Sequence, residues 1–463
     1  MEEKAQEIIR FCNSCYYVGG NDWLKEFCEK KDTEECMLCI NFKDKLKEYE
    51  EIKDKIRIHL QNYLQLDNVS FLFGTGASLH LGTTSIRRFP KAIEDKINGD
   101  DSISDLFKEL IKQYQKSEEI RRNKSEIDVP LEDFLNFLLA LQYIGEKSKD
   151  MGMGKPWKTE QLSTLIITIK QALFTLCDLD DIKENWFTSN PENTEFILEM
   201  ESYGKYCYHK RFIKSLLQRP LNLRRANIFT TNYDLAFENA FDELGVYYID
   251  GFFGFHKRAF RPESYDYDLY YPGTATEGKV RRTERVIRYF KLHGSITWVN
   301  DEASEFNQYG LVEKPIEIIR DKPELTGNLM IYPTSHKKGY TLDFPYSELF
   351  RQFATTITQP QSVLFCIGYS FYDEHINDII KQALAIPSFT LVIVDWDGTV
   401  NEEIKKLKNL CDPRIIILEG EYLGDFKIFA KDIMPNFHDI DIREKVVTTL
   451  KKLYRREAKE DEE

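Results

Sequence analysis

The sequence predicts an α/β fold built on a parallel sheet. Three observations lead there. Apolar runs of strand length, such as SVLFCIGYS and FTLVIVDWD, recur along the chain. Each breaks into small or polar residues, and most are followed by a helical pattern. The chemically interesting residues fall at those breaks, and ligands bind beyond the carboxyl ends of strands in such sheets.

Composition agrees. The 463 residues are 42% hydrophobic and 30% charged, a globular balance with material for a sizeable core. Lysine and arginine total 63 against 77 aspartates and glutamates, a net charge of −14. That balance excludes broad electrostatic binding to nucleic acid or anionic lipid, though not a local basic groove. No apolar stretch is long enough to span a membrane. The start, MEEKAQEIIR, has acids and no apolar segment of secretory type. The expectation is a soluble, cytoplasmic protein.

Five of the nine cysteines fall in the first 39 residues. Cys12 and Cys15 form one C-x-x-C, Cys36 and Cys39 another, with 20 residues between the pairs. The spacing matches a four-thiolate structural zinc site, and Gly19 and Gly20 let the chain bend between the pairs. The same residues also read as two unrelated cysteine pairs in a reducing compartment. A redox pair fits less well, because neither motif follows a strand in a thioredoxin-like unit. Residues 1–60 are therefore expected to form a Cys-rich, helical, zinc-binding module.

Apolar residues at helical spacing predict an amphipathic helix over about residues 41–65. Val69 to Phe73 then reads as a strand breaking into Gly74-Thr75-Gly76-Ala77-Ser78 and a helix start, a phosphate-binding arrangement. Residues 87–225 read as an all-α insertion. Strands return at ANIFTTNYD, at Ile287 to Leu292, Ser362 to Ile367, Leu391 to Val394 and Arg414 to Leu418. The stretch DGFFGFHKRAFRP reads as irregular, and a helical segment over 423–463 closes the chain. Residues 61–86 and 226–422 would thus make one nucleotide-binding domain.

Taken singly, the motifs are weak. GTGAS is no Walker loop, lacking Gly-Lys-Ser/Thr, and it does not complete G-x-G-x-x-G. Thr230 to Asp234 can cap the following helix, or Asn232 can hold a ribose or a water. His293 is a lone histidine whose place at a strand end points its ring toward the ligand crevice.

In order, GTGAS, TTNYD, KLHGS, GYS and the acid-ended VIVDWD resemble the sirtuin (silent information regulator) family of NAD-consuming enzymes. The resemblance covers roughly residues 65–420, with the helical insertion between the first two motifs. It implies a Rossmann-like parallel sheet with NAD as substrate. Asn232 would orient the nicotinamide ribose or the attacking water, and His293 would be general base on a ribose hydroxyl. Gly74, Gly76, Ala77 and Ser78 would cradle the phosphates, with Thr231 and Asp234 at the ribose pocket. Gly368 and Ser370 would bind phosphate or the adenosine ribose, and Asp395 would lie by the adenosine.

Two departures matter. The family's deacylases carry a zinc ribbon after the catalytic histidine, whereas only Cys366 and Cys411 follow His293 here. Their Gly-Ile-Pro-Asp-Phe-Arg segment is replaced by LHLGTTSIRRFP. The helical segment and VPLEDFLNFL resemble instead the sirtuin-like effectors of bacterial antiphage defence, which hydrolyse NAD to ADP-ribose and nicotinamide. That resemblance implies an NAD glycohydrolase of abortive infection, a homo-oligomer, and a partner such as a HerA-type hexameric ATPase. An NAD-dependent deacylase and a non-enzymatic ADP-ribose-binding scaffold remain alternatives. No nuclease motif of H-N-H or D-E-x-K type stands out.

Overall fold

The computed structural model describes residues 2–25, 42–84, 89–97, 101–122, 129, 131–150, 159–181, 194–271, 281–331, 344–397 and 401–435. Of the closing helical segment expected over 423–463, residues 423–435 are described and hold a short helix, Phe426–Ile428, running into a π turn, Phe429–Ile433; the rest lies outside, as do Cys36 and Cys39.

In chain order the strands are β1 (Cys15–Val18), β2 (Asn21–Asp22), β3 (Asn68–Phe73), β4 (Asn227–Thr230), β5 (Tyr247–Ile249), β6 (Phe252–Phe253), β7 (Arg258–Phe260) and β8 (Tyr270–Tyr271). Then come β9 (Arg281–Arg282), β10 (Val286–Lys291), β11 (Gly294–Asn300), β12 (Leu311–Glu313), β13 (Leu329–Ile331), β14 (Ser362–Ile367), β15 (Thr390–Asp395) and β16 (Ile415–Glu419). The central sheet runs β2-β1-β16-β15-β14-β3-β4-β10-β5. From β16 to β5 every pairing is parallel. This is a mixed α/β architecture on a parallel-rich sheet.

The strands read as unbroken apolar runs because both faces are covered. Phe71, Phe73, Phe365 and Val392 point into one core with Phe212 and Phe237 of the helices Cys207–Leu216 and Ala236–Leu244. Leu72, Phe229, Leu364 and Leu391 point to the other, against the helices Tyr346–Ile357 and Glu374–Leu384. Alternate residues of one strand serve opposite layers.

The expected all-α stretch divides in the structure. Helices Phe89–Ile97, Asp101–Arg122, Leu131–Asp150 and Thr159–Cys177 build a third core around Phe107, Leu138 and Ile169. That core takes in Tyr233, Ile296 and Ile319 from the sheet domain. Arg320 fastens the two with a bidentate pair to Asp178, 2.6 Å at each contact. The helix Thr194–Tyr203 instead sends Phe196 into the core beneath the central sheet.

Two expectations need correction. The first residues were expected to stand apart from the sheet. Instead β1 pairs antiparallel with β16, and Gly19 and Gly20, both at positive φ, make the two-residue turn into β2. Ser14 Oγ accepts the Tyr422 and Leu423 N–H groups. This hairpin covers what would otherwise be a bare parallel edge at β16. The stretch read as irregular contains β6 and β7, which join a five-stranded antiparallel sheet ordered β13-β11-β12-β7-β6. Their turn depends on Gly254, where a Cβ would lie 2.1 Å from the Lys257 carbonyl oxygen.

Below the glycine turn two imidazoles are buried face to face. His80 and His209 have ring centroids 5.5 Å apart, amid Phe196, Tyr208, Phe237 and Phe426. Burial pushes His209 down to about 3. Burial, then His209 and Lys427, hold His80 well below its ordinary value. Both rings are neutral when folded, while the unfolded chain takes up protons near pH ~6.5. Their contribution is therefore complete above that pH and is lost as pH falls from there toward 3, by up to ~1.4 kcal/mol per unit for each ring. Thermal midpoints of wild type and His80→Phe/His209→Phe should separate between pH 7 and 5, the wild type losing more. Parallel curves would contradict this.

Candidate functional site

The carboxyl ends of the central strands are level. The ladder continues one residue past each strand: Gly74 N–H to Ile367 O at 3.1 Å, Thr231 N–H to Phe73 O at 3.0 Å, Leu292 N–H to Thr230 O at 2.8 Å and Gly368 N–H to Val394 O at 3.0 Å. Four loops therefore leave the sheet side by side. Between β3 and β14 the chain direction across the sheet reverses, which is where open α/β sheets form their ligand crevice.

The first loop differs from expectation. GTGAS itself holds a three-residue 3₁₀ turn, Thr75–Ala77, and what directly follows is a second one, Leu79–Leu81, rather than an α-helix. Gly76 N–H donates to Gly368 O at 3.0 Å, Ala77 N–H to Gly74 O at 3.0 Å and Ser78 N–H to Thr75 O at 2.9 Å. Gly74 N–H is taken by Ile367 O, so these backbone N–H groups are engaged within the protein. The glycines serve a close loop contact. A Cβ on Gly74 would lie 2.4 Å from Gly368 O, one on Gly76 2.6 Å from Gly368 Cα. Ser78 is buried, and its side chain turns to the next strand end.

Ser78 Oγ accepts from Asn232 Nδ2 at 3.2 Å and is hydrogen-bonded to Asp234. Asn232 N–H donates to Thr230 Oγ1, and Thr231 Oγ1 turns back to Phe73 O. Asn232 is thus fixed by its own strand end, and among the described residues its Oδ1 is buried without a hydrogen-bond partner. A buried amide oxygen in that state costs free energy until an external donor meets it. A ribose hydroxyl or a water is such a donor.

Asp234 is turned inward. Its Oδ1 accepts Ala236 N–H at the start of the following helix. Burial pushes its carboxyl up, and nearby Lys291 opposes this. Lys291 is itself buried, with its ammonium on Glu238 at 2.7 Å and on the Asp234 carbonyl.

His293 follows β10 and is nearly enclosed. Its Nε2 lies 2.9 Å from Asp373 Oδ2. The sequence reading did not single out Asp373. Burial pushes its carboxyl up, but the hydrogen bond and charge of His293 and the Ile376 N–H outweigh this and hold it below the usual range. The available signal was an acid immediately before a helical pattern, a capping position three residues after Ser370.

The structure therefore brings Ser78, Asn232 and Asp234 together, links His293 to the loop after β14, and locks Gly74 and Gly76 on Gly368. The Ser370 carbonyl accepts from Asn401 Nδ2. Asp395 ends β15, four strands from β10, or about 19 Å across the sheet. Of the cysteine set, Cys12 ends a helix and Cys15 opens β1; the other two lie outside the described residues. Among the described residues no group of three or more His, Cys, Asp or Glu could hold a metal ion. None of the described helices is long and apolar enough to cross a membrane.

A parallel-sheet domain with a buried Asn and His at adjacent strand ends defines a candidate nucleotide-binding enzyme. Residues 226–410, which carry β4 through β15, match the SIR2-like domain family. SIR2-like domains are NAD-dependent enzymes generally, so an NAD-related activity fits this region. No curated protein matches the chain.

Proposed function

We propose that the chain is an NAD+ glycohydrolase, cleaving NAD+ with water to nicotinamide and ADP-ribose. The observation that carries this reading is the pairing of Asn232 and His293 at the ends of the adjacent strands β4 and β10, inside the SIR2-like region. The glycosidic C1′–N bond breaks, and its electron pair returns to the nicotinamide nitrogen, discharging the leaving group. The water oxygen bonds to C1′, and its proton passes to His293 and on to solvent. Because the leaving group is activated already, the protein supplies orientation and charge stabilisation rather than a strong acid.

Asn232 Oδ1 would accept from the ribose or the water. The distance from His293 to Asp395 suits a ligand as extended as a dinucleotide, with Gly368 and Ser370 between them and Thr231 and Asp234 around the ribose. Gly74, Gly76, Ala77 and Ser78 belong to the proposal as the residues beside the phosphates. Purified protein given NAD+, alone or with the product of a neighbouring gene, should yield nicotinamide and ADP-ribose in equal amounts. O-acyl-ADP-ribose formed from an acyl-peptide would establish a deacylase instead, and binding without turnover a scaffold.

The wider role is carried by the resemblance of the sequence to sirtuin-like defence effectors: an abortive-infection enzyme, oligomeric and cytoplasmic, restrained until a HerA-type ATPase or another defence partner engages it. Turnover measured with and without the product of a neighbouring gene tests the restraint. Zinc on Cys12, Cys15, Cys36 and Cys39 is also part of the proposal, thiolates being soft donors suited to it. Metal analysis should find one zinc per chain, lost in Cys12→Ser/Cys15→Ser.

A further inference from the structure

We propose that Asp373 is a positioning residue for His293, fixing which ring nitrogen is the base. The inference rests on the glycohydrolase reading of His293 and adds a residue to it. The Asp373 carboxylate is divided between two tasks. Oδ1 accepts the His375 and Ile376 N–H groups at 2.8 and 3.1 Å and so caps the helix Glu374–Leu384. Oδ2 meets His293 Nε2 at 2.9 Å. A carboxylate held below its usual range is ionised and can only accept. Nε2 therefore carries the proton, and Nδ1 of the neutral ring keeps the lone pair. The same carboxylate stabilises the imidazolium formed when Nδ1 takes a proton from the water or ribose hydroxyl.

The loop that presents Asp373 is rigidly made. Phe371 lies at positive φ, a conformation that side-chain-bearing residues adopt only when their surroundings impose it. Asn377 Nδ2 holds the Phe371 carbonyl at 2.7 Å, and Tyr369 OH reaches Asn377 Oδ1 at 3.2 Å. The helix cap aims one oxygen and leaves the other for the histidine.

The test uses the full chain. Asparagine caps helices as well as aspartate does, so Asp373→Asn should fold normally. It should lower kcat for ADP-ribose release by about 10²-fold or more with KM nearly unchanged, as expected when a base loses its orienting carboxylate. Nitrogen-15 spectra of histidine-labelled wild type should show His293 protonated on Nε2 and bare on Nδ1, and Asp373→Asn should lose that single tautomer. If Asp373→Asn fails to fold, Asp373→Ser, which keeps a capping oxygen but cannot reach His293, provides the kinetic comparison. Wild-type turnover matched by these variants, or His293 protonated on Nδ1, overturns the role of Asp373. A wild type that forms no ADP-ribose, either alone or with the product of the neighbouring gene, overturns the parent reading and this inference with it.

Discussion

Replacing His293 by alanine is expected to cut ADP-ribose release by about 10²–10⁴-fold, the range over which a positioned base accelerates proton transfer. Asn232→Ala should have an effect of the same order through a different route. His293 removes a proton acceptor. Asn232 removes the amide that sets the ribose or water in place, bonded on one side to Ser78. Neither side chain contributes to the main apolar cores. Both variants should therefore retain the wild-type far-ultraviolet circular dichroism and elute as wild type. Because the two act on one transition state, the double variant should fall far short of the product of the single losses. Wild-type NAD+ loss in both single variants would sink the assignment.

The second large effect is structural. Gly368→Ala should destabilise the protein by at least about 3 kcal/mol, combining left-handed backbone strain with overpacking. At φ +59 its Cβ would stand 2.7 Å from Ala77 N and Gly76 Cα. Those are backbone atoms of the neighbouring strand's loop, and they cannot rotate aside. Gly245 is the control. It also has positive φ, at the carboxyl end of the helix Ala236–Leu244, but a Cβ there meets nothing within 4 Å. Gly245→Ala should cost only about 1–2 kcal/mol. Equal losses in thermal midpoint for the two variants would show that loop contact adds nothing beyond strain.

The parallel strands were legible because strands buried on both faces are written as continuous apolar runs. Ser362–Ile367 agrees with the structure to the residue, and β3, β10, β15 and β16 to within one residue at each end, whereas β4 stops at Thr230, four residues short of the end of ANIFTTNYD. The antiparallel sheet was not legible, because β6 and β7 are two and three residues long and carry no usable alternation. The edge hairpin β1–β2 had its signal in Val18-Gly19-Gly20-Asn21, but the nearby cysteines drew the reading toward metal. Asn232 and His293 stood out because they directly follow apolar strands. Asp373 did not, because its partner is 80 residues away and its local pattern looks like an ordinary helix cap. GTGAS is ambiguous in a specific way. Glycines announce a close approach, and the sequence cannot say whether a phosphate or another loop makes it.

Tyr233 sits in the chain between Asn232 and Asp234, yet its ring belongs to the core of the helical lobe. Its carbonyl also receives the Ile296 N–H just beyond His293. Loosening the lobe would thus free the Tyr233 side of the Asn232 peptide, while Thr230 Oγ1 still holds the Asn232 N–H. Amide-exchange protection at Ile296 should then follow the lobe's opening free energy, and that at Asn232 the parallel sheet's. Tyr233 thus couples the lobe to the strand end that carries Asn232, although 54 residues lie between Cys177 and Asn232 along the chain.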